Sequence, residues 1–402
     1  MKTKILAITL AVSALALLTA VAFVSNLAIY ISIIAIGLAL ALHLQQAGIG
    51  CAVLDARPGG ALQADRRVLA LSHGSRQILE RVGAWRSLDA TPIAAIHVSQ
   101  QGRLGRTLIR ASDAGVPALG YVAEAGKVGV ALAQACADAG VAVLHETRVL
   151  GAESRADRAL LRIAEARGET AREAQLIAWA EGAVSGMNES VRRDYRQQAI
   201  VATLQTPQPS GNVAYERFMA SGPVALLPQG NRFALVWTVP GDICAGLLAL
   251  DEQDFLSQLH DIFSGRFEFT EVGERSAFPL GLRFRESPVG DRAVWLGNAA
   301  QTLHPVAGQG FNLALRDVAQ LARLLREGAS DCGSAVLLAR HAAARRLDRR
   351  STIGFTDGLV RLFGIREALA GHARGAALLA LDLMPAARRF LARRMIYGAR
   401  GW

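Results

Sequence analysis

Apolar and polar positions divide the chain into three kinds of stretch. Residues 36–47 are apolar on almost every turn and stop at Gly48, which predicts a buried helix. Residues 50–54 then form a short apolar run that ends at Asp55, the pattern of a strand buried on both faces. Residues 26–31 read as a similar strand ahead of that helix. Between about 93 and 109, apolar and polar side chains alternate around Gln101-Gly102, which predicts a hairpin. From 198 to 240 the period is again two, broken at Pro207, Gly222-Pro223 and Gly230. Helical periods return at 127–139, at 251–263 and from about 311 to the end.

This order predicts an α/β (α+β) chain with a nucleotide-binding-type domain and an inserted antiparallel sheet. The first domain takes 26–92, 111–185 and 286–330; the inserted one takes 93–110 and 186–285; a basic helical region takes 331–402. Residues 1–25 stand apart. Lys2 and Lys4 precede about fifty residues without another charge before Asp55, and 5–24 is long enough to span a bilayer. The segment fits a membrane anchor, a signal peptide or an altered start.

Composition narrows the function. Four scattered cysteines form no CxxC pair, and no Cys/His spacing suits a metal. The net charge of +10 is concentrated in the last 68 residues, which hold thirteen arginines, no lysine and four acidic residues. Those arginines alternate with Leu, Phe and Met, as in 384–395, and predict either a solvated helix face or a surface resting on anionic lipid. No aromatic stacking platform or nucleic-acid motif accompanies them, so nucleic acid is not an expected partner. A serine-hydrolase elbow is also absent.

The chemistry sits in two places. At the first helix, a dinucleotide loop needs three glycines; only the third, Gly37, is present, with Ser32 and Ile34 at the others. Asp55, ending the second strand, is placed to accept hydrogen bonds from a ribose. The second place is the run from Val294 to Asp317. A strand enters Gly297-Asn298, a loop closes at His304-Pro305, and Gly308-Gln309-Gly310 opens a helix. A glycine-flanked helix start offers unpaired N–H groups and a positive dipole end to an electron-rich ring. His304, ahead of a proline in a tight loop, is either a general base or a structural hydrogen-bonder.

The run Gly297-Asn-Ala-Ala-Gln-Thr-Leu-His-Pro-Val-Ala-Gly-Gln-Gly-Phe-Asn-Leu-Ala-Leu-Arg-Asp317 resembles the second flavin-binding motif of the FAD-dependent aromatic hydroxylases. It looks most like the branch that acts on polyprenylated phenols in ubiquinone biosynthesis. Pieces at 65–71, 118–124, 195–201, 214–218, 222–228, 235–237 and 352–360 match in order, so the likeness covers most of the chain.

The resemblance implies a glutathione-reductase-type FAD domain with an inserted substrate sheet. It implies that NAD(P)H reduces the flavin and that O2 forms a C4a-hydroperoxide, which hydroxylates the phenol. Carried over residue by residue, Asn298 bonds the ribityl chain and Pro305 lies on the flavin near its reactive edge. Gly308, Gln309, Gly310 and Asn312 supply N–H groups to the pyrimidine carbonyl, while Arg67 and Asp55 hold the rest of FAD. It implies a peripheral protein on the cytoplasmic face of the inner membrane, with other ubiquinone-biosynthesis proteins as partners. Ser32, Ile34 and Glu181-Gly182, where relatives have Asp-Gly, depart from the pattern. They leave a second reading, a non-catalytic scaffold with impaired FAD binding.

Overall fold

A six-stranded sheet organises the first domain. Its order is Val289–Gly290, Ala293–Trp295, Ile177–Trp179, Ile5–Leu10, Gly50–Asp55, Ala142–Leu144, and all but the first strand run parallel. The computed structural model describes residues 5–10, 35–102, 105–180, 190–328, 330–365 and 368–399. The central strand corrects the sequence reading. Ile5–Leu10, assigned to the apolar leader, pairs in register with all of Gly50–Asp55. An apolar run of strand length cannot by itself be told from the start of a membrane segment. The strand expected at 26–31 lies outside the described residues, as do Ser32, Ile34 and Glu181-Gly182. Among the described residues no helix is long and apolar enough to cross a membrane.

Helix 35–46 packs on this sheet. Leu38, Leu40 and Leu44 are almost wholly buried, and they share one core with Val53, Ala178, Val294 and Leu315. A helix apolar all round is one covered on all sides, which accounts for its unbroken hydrophobic pattern. A small antiparallel sheet, Arg148–Ser154, Ala159–Glu165 and Gly168–Ala174, closes over Leu54 and Ile177. A second, built from Val68–Ser72, Gly120–Glu124 and Thr91–Ile93, leads toward the other domain.

The large sheet has nine strands. Ala95–Gln100 and Arg106–Arg110 join it beside Val213–Met219, followed by Gly222–Gln229, Arg232–Pro240, Ser190–Gln205 and Ser276–Arg285. Successive side chains alternate between its two faces. Ile200, Val224, Leu235 and Trp237 point to the outer face, where Phe255 and Leu259 of helix Glu252–Ile262 cover them. The other face turns to the first domain, as the guanidinium of Arg67 5.7 Å above the Phe278 ring shows.

The C-terminal region is three helices, Ala335–Gly364, Ala368–Leu383 and Pro385–Tyr397. Not all of its arginines form a solvated face. Arg345 is buried and bonds Asp317 at 2.5 Å and Asp348 at 2.6 Å; Arg316 bonds Asp348 at 2.7 Å. Arg349 is buried as well and donates to Gln301 at 2.7 Å. Arg316 and Asp317, the end of the glycine-rich motif, therefore fasten its helix to the long C-terminal one.

Candidate active site

The strand Ala293–Trp295 ends at Gly297, which has φ +58° and opens the single turn Gly297–Ala299. A Cβ on Gly297 would stand 3.5 Å from Ile36, so this turn lies against the start of helix 35–46 and next to Gly37, itself buried. Asn298 is partly exposed in the same turn.

The loop beyond it is braced from within. His304 is buried, and its Nδ1 accepts the Val306 N–H at 3.1 Å. Burial pulls its pKa down to about 4, so the ring is neutral, and it stands edge-on to Tyr195. Of the two expected catalytic residues, His304 thus holds the turn and Pro305 is the exposed one. With its acceptor nitrogen engaged inside the loop, His304 offers no free base. Ala307 follows with φ +64°, a conformation that costs a residue with a side chain on the order of 1–3 kcal/mol and tends to occur at functional sites.

Helix Gln309–Arg326 begins at Gly308 (φ +57°, ψ +30°) with no side-chain cap and no acidic residue in its first turn. Its N-terminal N–H groups and positive dipole end are uncompensated. A Cβ on Gly308 would come 3.1 Å from that of Ala70, whereas one on Gly310 would meet nothing within 4 Å. The helix therefore starts hard against the strand Val68–Ser72 on one side and opens into space on the other. Gln309 is buried and donates to the Ala307 carbonyl at 3.2 Å.

The Asn312 side chain has a structural part beside the backbone N–H expected of it. Its side-chain oxygen accepts from the Ser72 N–H at 2.8 Å and from the Ser75 hydroxyl at 2.7 Å. Its amide nitrogen donates to the carbonyls of Ala70 at 2.9 Å and Gly308 at 2.7 Å. All of the hydrogen-bonding capacity of the amide is spent inside the protein. The side chain positions the helix start and has nothing left for a ligand.

Arg67 donates to Asp65 at 2.7 Å and lies between the two domains. Asp55 stands apart: it is buried, Arg57 bonds it at 3.1 Å, and His145 is 3.5 Å away. Its carboxylate is engaged by these protein partners.

Sequence reasoning missed Glu216. It lies on Val213–Met219, on the face opposite Arg217, whose guanidinium bonds Ser264 behind the sheet. The Ala307 N–H faces its carboxylate, while desolvation raises its pKa to about 7. The side chain stays partly accessible although protein surrounds it, as expected of a residue lining an enclosed pocket. The available signal was a charge in the middle of an apolar strand, and nothing in the sequence told which face it would take.

The residues present fit a flavin ring: an open, uncapped helix start, a positive-φ glycine where a side chain would collide, and an exposed proline beside it. Among known proteins, a family model described as FAD binding domain matches residues 35–354. The chain is 32% identical over 374 residues to the ubiquinone hydroxylase UbiL of Rhodospirillum rubrum, covering 89% of this chain and 86% of that one. It is 28% identical to the mitochondrial ubiquinone biosynthesis monooxygenase COQ6 of Mus musculus, over 77% of each. Of solved structures, p-nitrophenol 4-monooxygenase PnpA from Pseudomonas putida shares the fold with a TM-score of 0.72, at 13% identity and 99% coverage of both chains.

Proposed function

The chain belongs to the FAD-dependent aromatic hydroxylase family, and from that premise we propose that it hydroxylates a polyprenylated phenol in ubiquinone biosynthesis, with NAD(P)H and O2 as co-substrates. The reading is carried by one observation, the uncapped start of helix Gln309–Arg326, where a Cβ on Gly310 would meet nothing within 4 Å. Bound there, FAD would supply the redox chemistry and the activated oxygen. The protein supplies the rest. Gly308, Gln309 and Gly310 would hold the pyrimidine edge of the ring through N–H groups and the dipole end. Gly297, Asn298 and Gly37 would flank the chain leading away from it, and Pro305 would lie against the ring.

A lipid-borne substrate calls for a surface that meets lipid. The C-terminal helices expose Leu369, Leu383 and Phe390 at 82%, 72% and 74%, together with Arg361, Arg389 and Arg393. Apolar side chains flanked by arginines suit the anionic cytoplasmic face of the inner membrane, and the same surface could receive other ubiquinone-biosynthesis proteins. The second reading, a scaffold that no longer keeps FAD, draws on Ser32 and Ile34 in place of the loop glycines.

The purified protein decides between the two. The hydroxylase reading expects a yellow protein whose NAD(P)H oxidation is stimulated by a prenylated phenol and which sediments with anionic vesicles. A folded, colourless protein that gains no flavin absorbance with added FAD sinks it and leaves the scaffold.

A further inference from the structure

We infer that Glu216 is a catalytic carboxylate that takes the proton of the substrate's phenolic hydroxyl. This rests on the hydroxylase reading above.

Strand register places Glu216 opposite Ala225, Ala225 opposite Val236, Val236 opposite Val201, and Val201 opposite Ser276. These five side chains form one row on the face toward the first domain. All five stay partly accessible in the middle of a nine-stranded sheet. The residues pointing the other way from the same strands, Val224, Leu226, Leu235 and Ile200, are fully buried. The row therefore floors a space wide enough to admit solvent, and four of its five side chains are small or aliphatic. Such a floor suits an aromatic ring, and it holds one ionisable group.

The loop that would lie along the flavin forms the wall. Its Ala307 N–H faces Glu216, and Val306 packs on Phe218, two residues along the same strand. Phe218 stacks on Phe363 of the long C-terminal helix with ring centroids 3.5 Å apart. Glu216 thus stands where the sheet, the glycine loop and the C-terminal helix meet. Burying a lone carboxylate among apolar groups is costly and persists where it is used.

Few charges compete for it. His304 on the loop is neutral. On the long helix, Asp357 accepts from Tyr195 at 2.8 Å and pairs with Arg193, and Arg361 is exposed. Arg67, across the domain boundary, is paired with Asp65. None of these is a cause of the upward displacement that desolvation gives the Glu216 carboxyl.

In the step proposed, the phenolic O–H bond breaks and its proton passes to a Glu216 oxygen. The electron pair stays on the phenol oxygen and enriches the ortho and para carbons, where the oxygen atom is delivered. The attacked carbon then loses its own proton to water, the ring regains aromaticity, and Glu216 returns its proton to the phenolic oxygen. The carboxylate ends as it began. A group titrating to about 7 is well matched to this work near neutrality.

The test uses the full chain loaded with FAD, as wild type, Glu216→Gln and Glu216→Asp. In wild type, kcat/KM rises through an acid limb near pH 7. Glu216→Gln loses that limb and falls on the order of 10²- to 10⁴-fold, and Glu216→Asp recovers part of the loss. Two readouts do not need turnover. Infrared difference spectra of wild type should show a protonated carboxyl band that disappears near neutral pH and is missing from Glu216→Gln. At pH 8 wild type should bind the phenol about tenfold tighter than its methyl ether, as a hydrogen bond to a charged group allows, and the glutamine variant should lose that preference. Retention of the acid limb and the phenol preference in Glu216→Gln overturns the proposal. So does a variant that loses FAD while keeping the phenol preference, since that assigns Glu216 to bracing the Ala307 turn. A wild-type protein that binds no phenol and oxidises no NAD(P)H in its presence refutes the hydroxylase reading itself, whatever the infrared titration shows.

Discussion

Replacing Asn312 by alanine should cost more stability than any single contact of the glycine loop, and the structure says roughly how much. Four hydrogen bonds of 2.7–2.9 Å leave with the amide. The Ser75 hydroxyl can turn to its other neighbour, Ser72, 3.2 Å away. The Ser72 N–H and the Ala70 carbonyl have no such substitute at hand. At about 1 kcal/mol for each bond lost, and up to ~3 kcal/mol for a donor left buried without a partner, the sum is about 3–5 kcal/mol. That is a large share of the ~5–15 kcal/mol that keeps a domain folded. Urea unfolding at pH 7 would show it as a lower midpoint at unchanged slope. Asn312→Asp sharpens the test. It keeps the oxygen but turns an acceptor toward the Ala70 and Gly308 carbonyls, so the folded form prefers the protonated acid. Its folded pKa then lies above the unfolded value near 3.9, and the penalty is least below pH 4 and grows as pH rises through the folded pKa. An Asn312→Ala protein within 1 kcal/mol of wild type, with normal flavin content, would refute the account of this residue as the clamp on the helix start.

Gly308→Ala should weaken FAD binding about tenfold or more while lowering the unfolding midpoint only modestly, because φ +57° costs an L-residue roughly 1–2 kcal/mol and the new methyl meets Ala70 at 3.1 Å. Flavin fluorescence titration checks it, and unchanged affinity would mean that the helix start does not face the ring. Acid should destabilise the fold through His304 and His341, both buried with pKa values lowered to about 4. The unfolded chain takes up these protons below pH 6.5 and the folded one does not. Stability is therefore complete above that value and falls by about 2 kcal/mol per histidine between pH 6.5 and 5. Urea midpoints across that range should drop less in His341→Gln than in wild type, and equal slopes would discard the histidine origin.

The glycine-rich motif and the alternating middle segment were readable because each is written in local periodicity. The strand–turn–helix of 293–326 needs only a glycine that can take positive φ and an amphipathic run behind it. Helix 35–46 announced itself by having no polar face. The central strand did not, because a mostly apolar run followed by more apolar residues carries no boundary. The clamp made by the Asn312 side chain was not legible, because its partners, Ser72 and Ser75, lie some 240 positions away in sequence. Glu216 was hidden for a related reason. Period two fixes that Glu216 and Arg217 face opposite ways, but only the helix behind the sheet decides which of them meets the pocket.

The arginines of the C-terminal region show where counting charges stops being informative. Their number suggested one basic surface, yet Arg345 and Arg349 are buried with bonds to Asp317 and Gln301, and Arg374 is buried with bonds to the carbonyls of Leu362 and Ile365. A buried ion pair adds little stability over a well-packed apolar one, but losing one partner strands a charge. The Arg316–Asp348–Arg345–Asp317 network is therefore better understood as a lock on geometry. It fastens the helix that begins at Gly308 to the helix that carries Phe363, which stacks on Phe218, two residues from Glu216. The arginines left outside, among them Arg361, Arg389 and Arg393, are the ones that can meet lipid. The same residue type thus takes two places in one region: some side chains fasten helices together inside the protein, and others stay at the surface, where the proposal has them meet lipid.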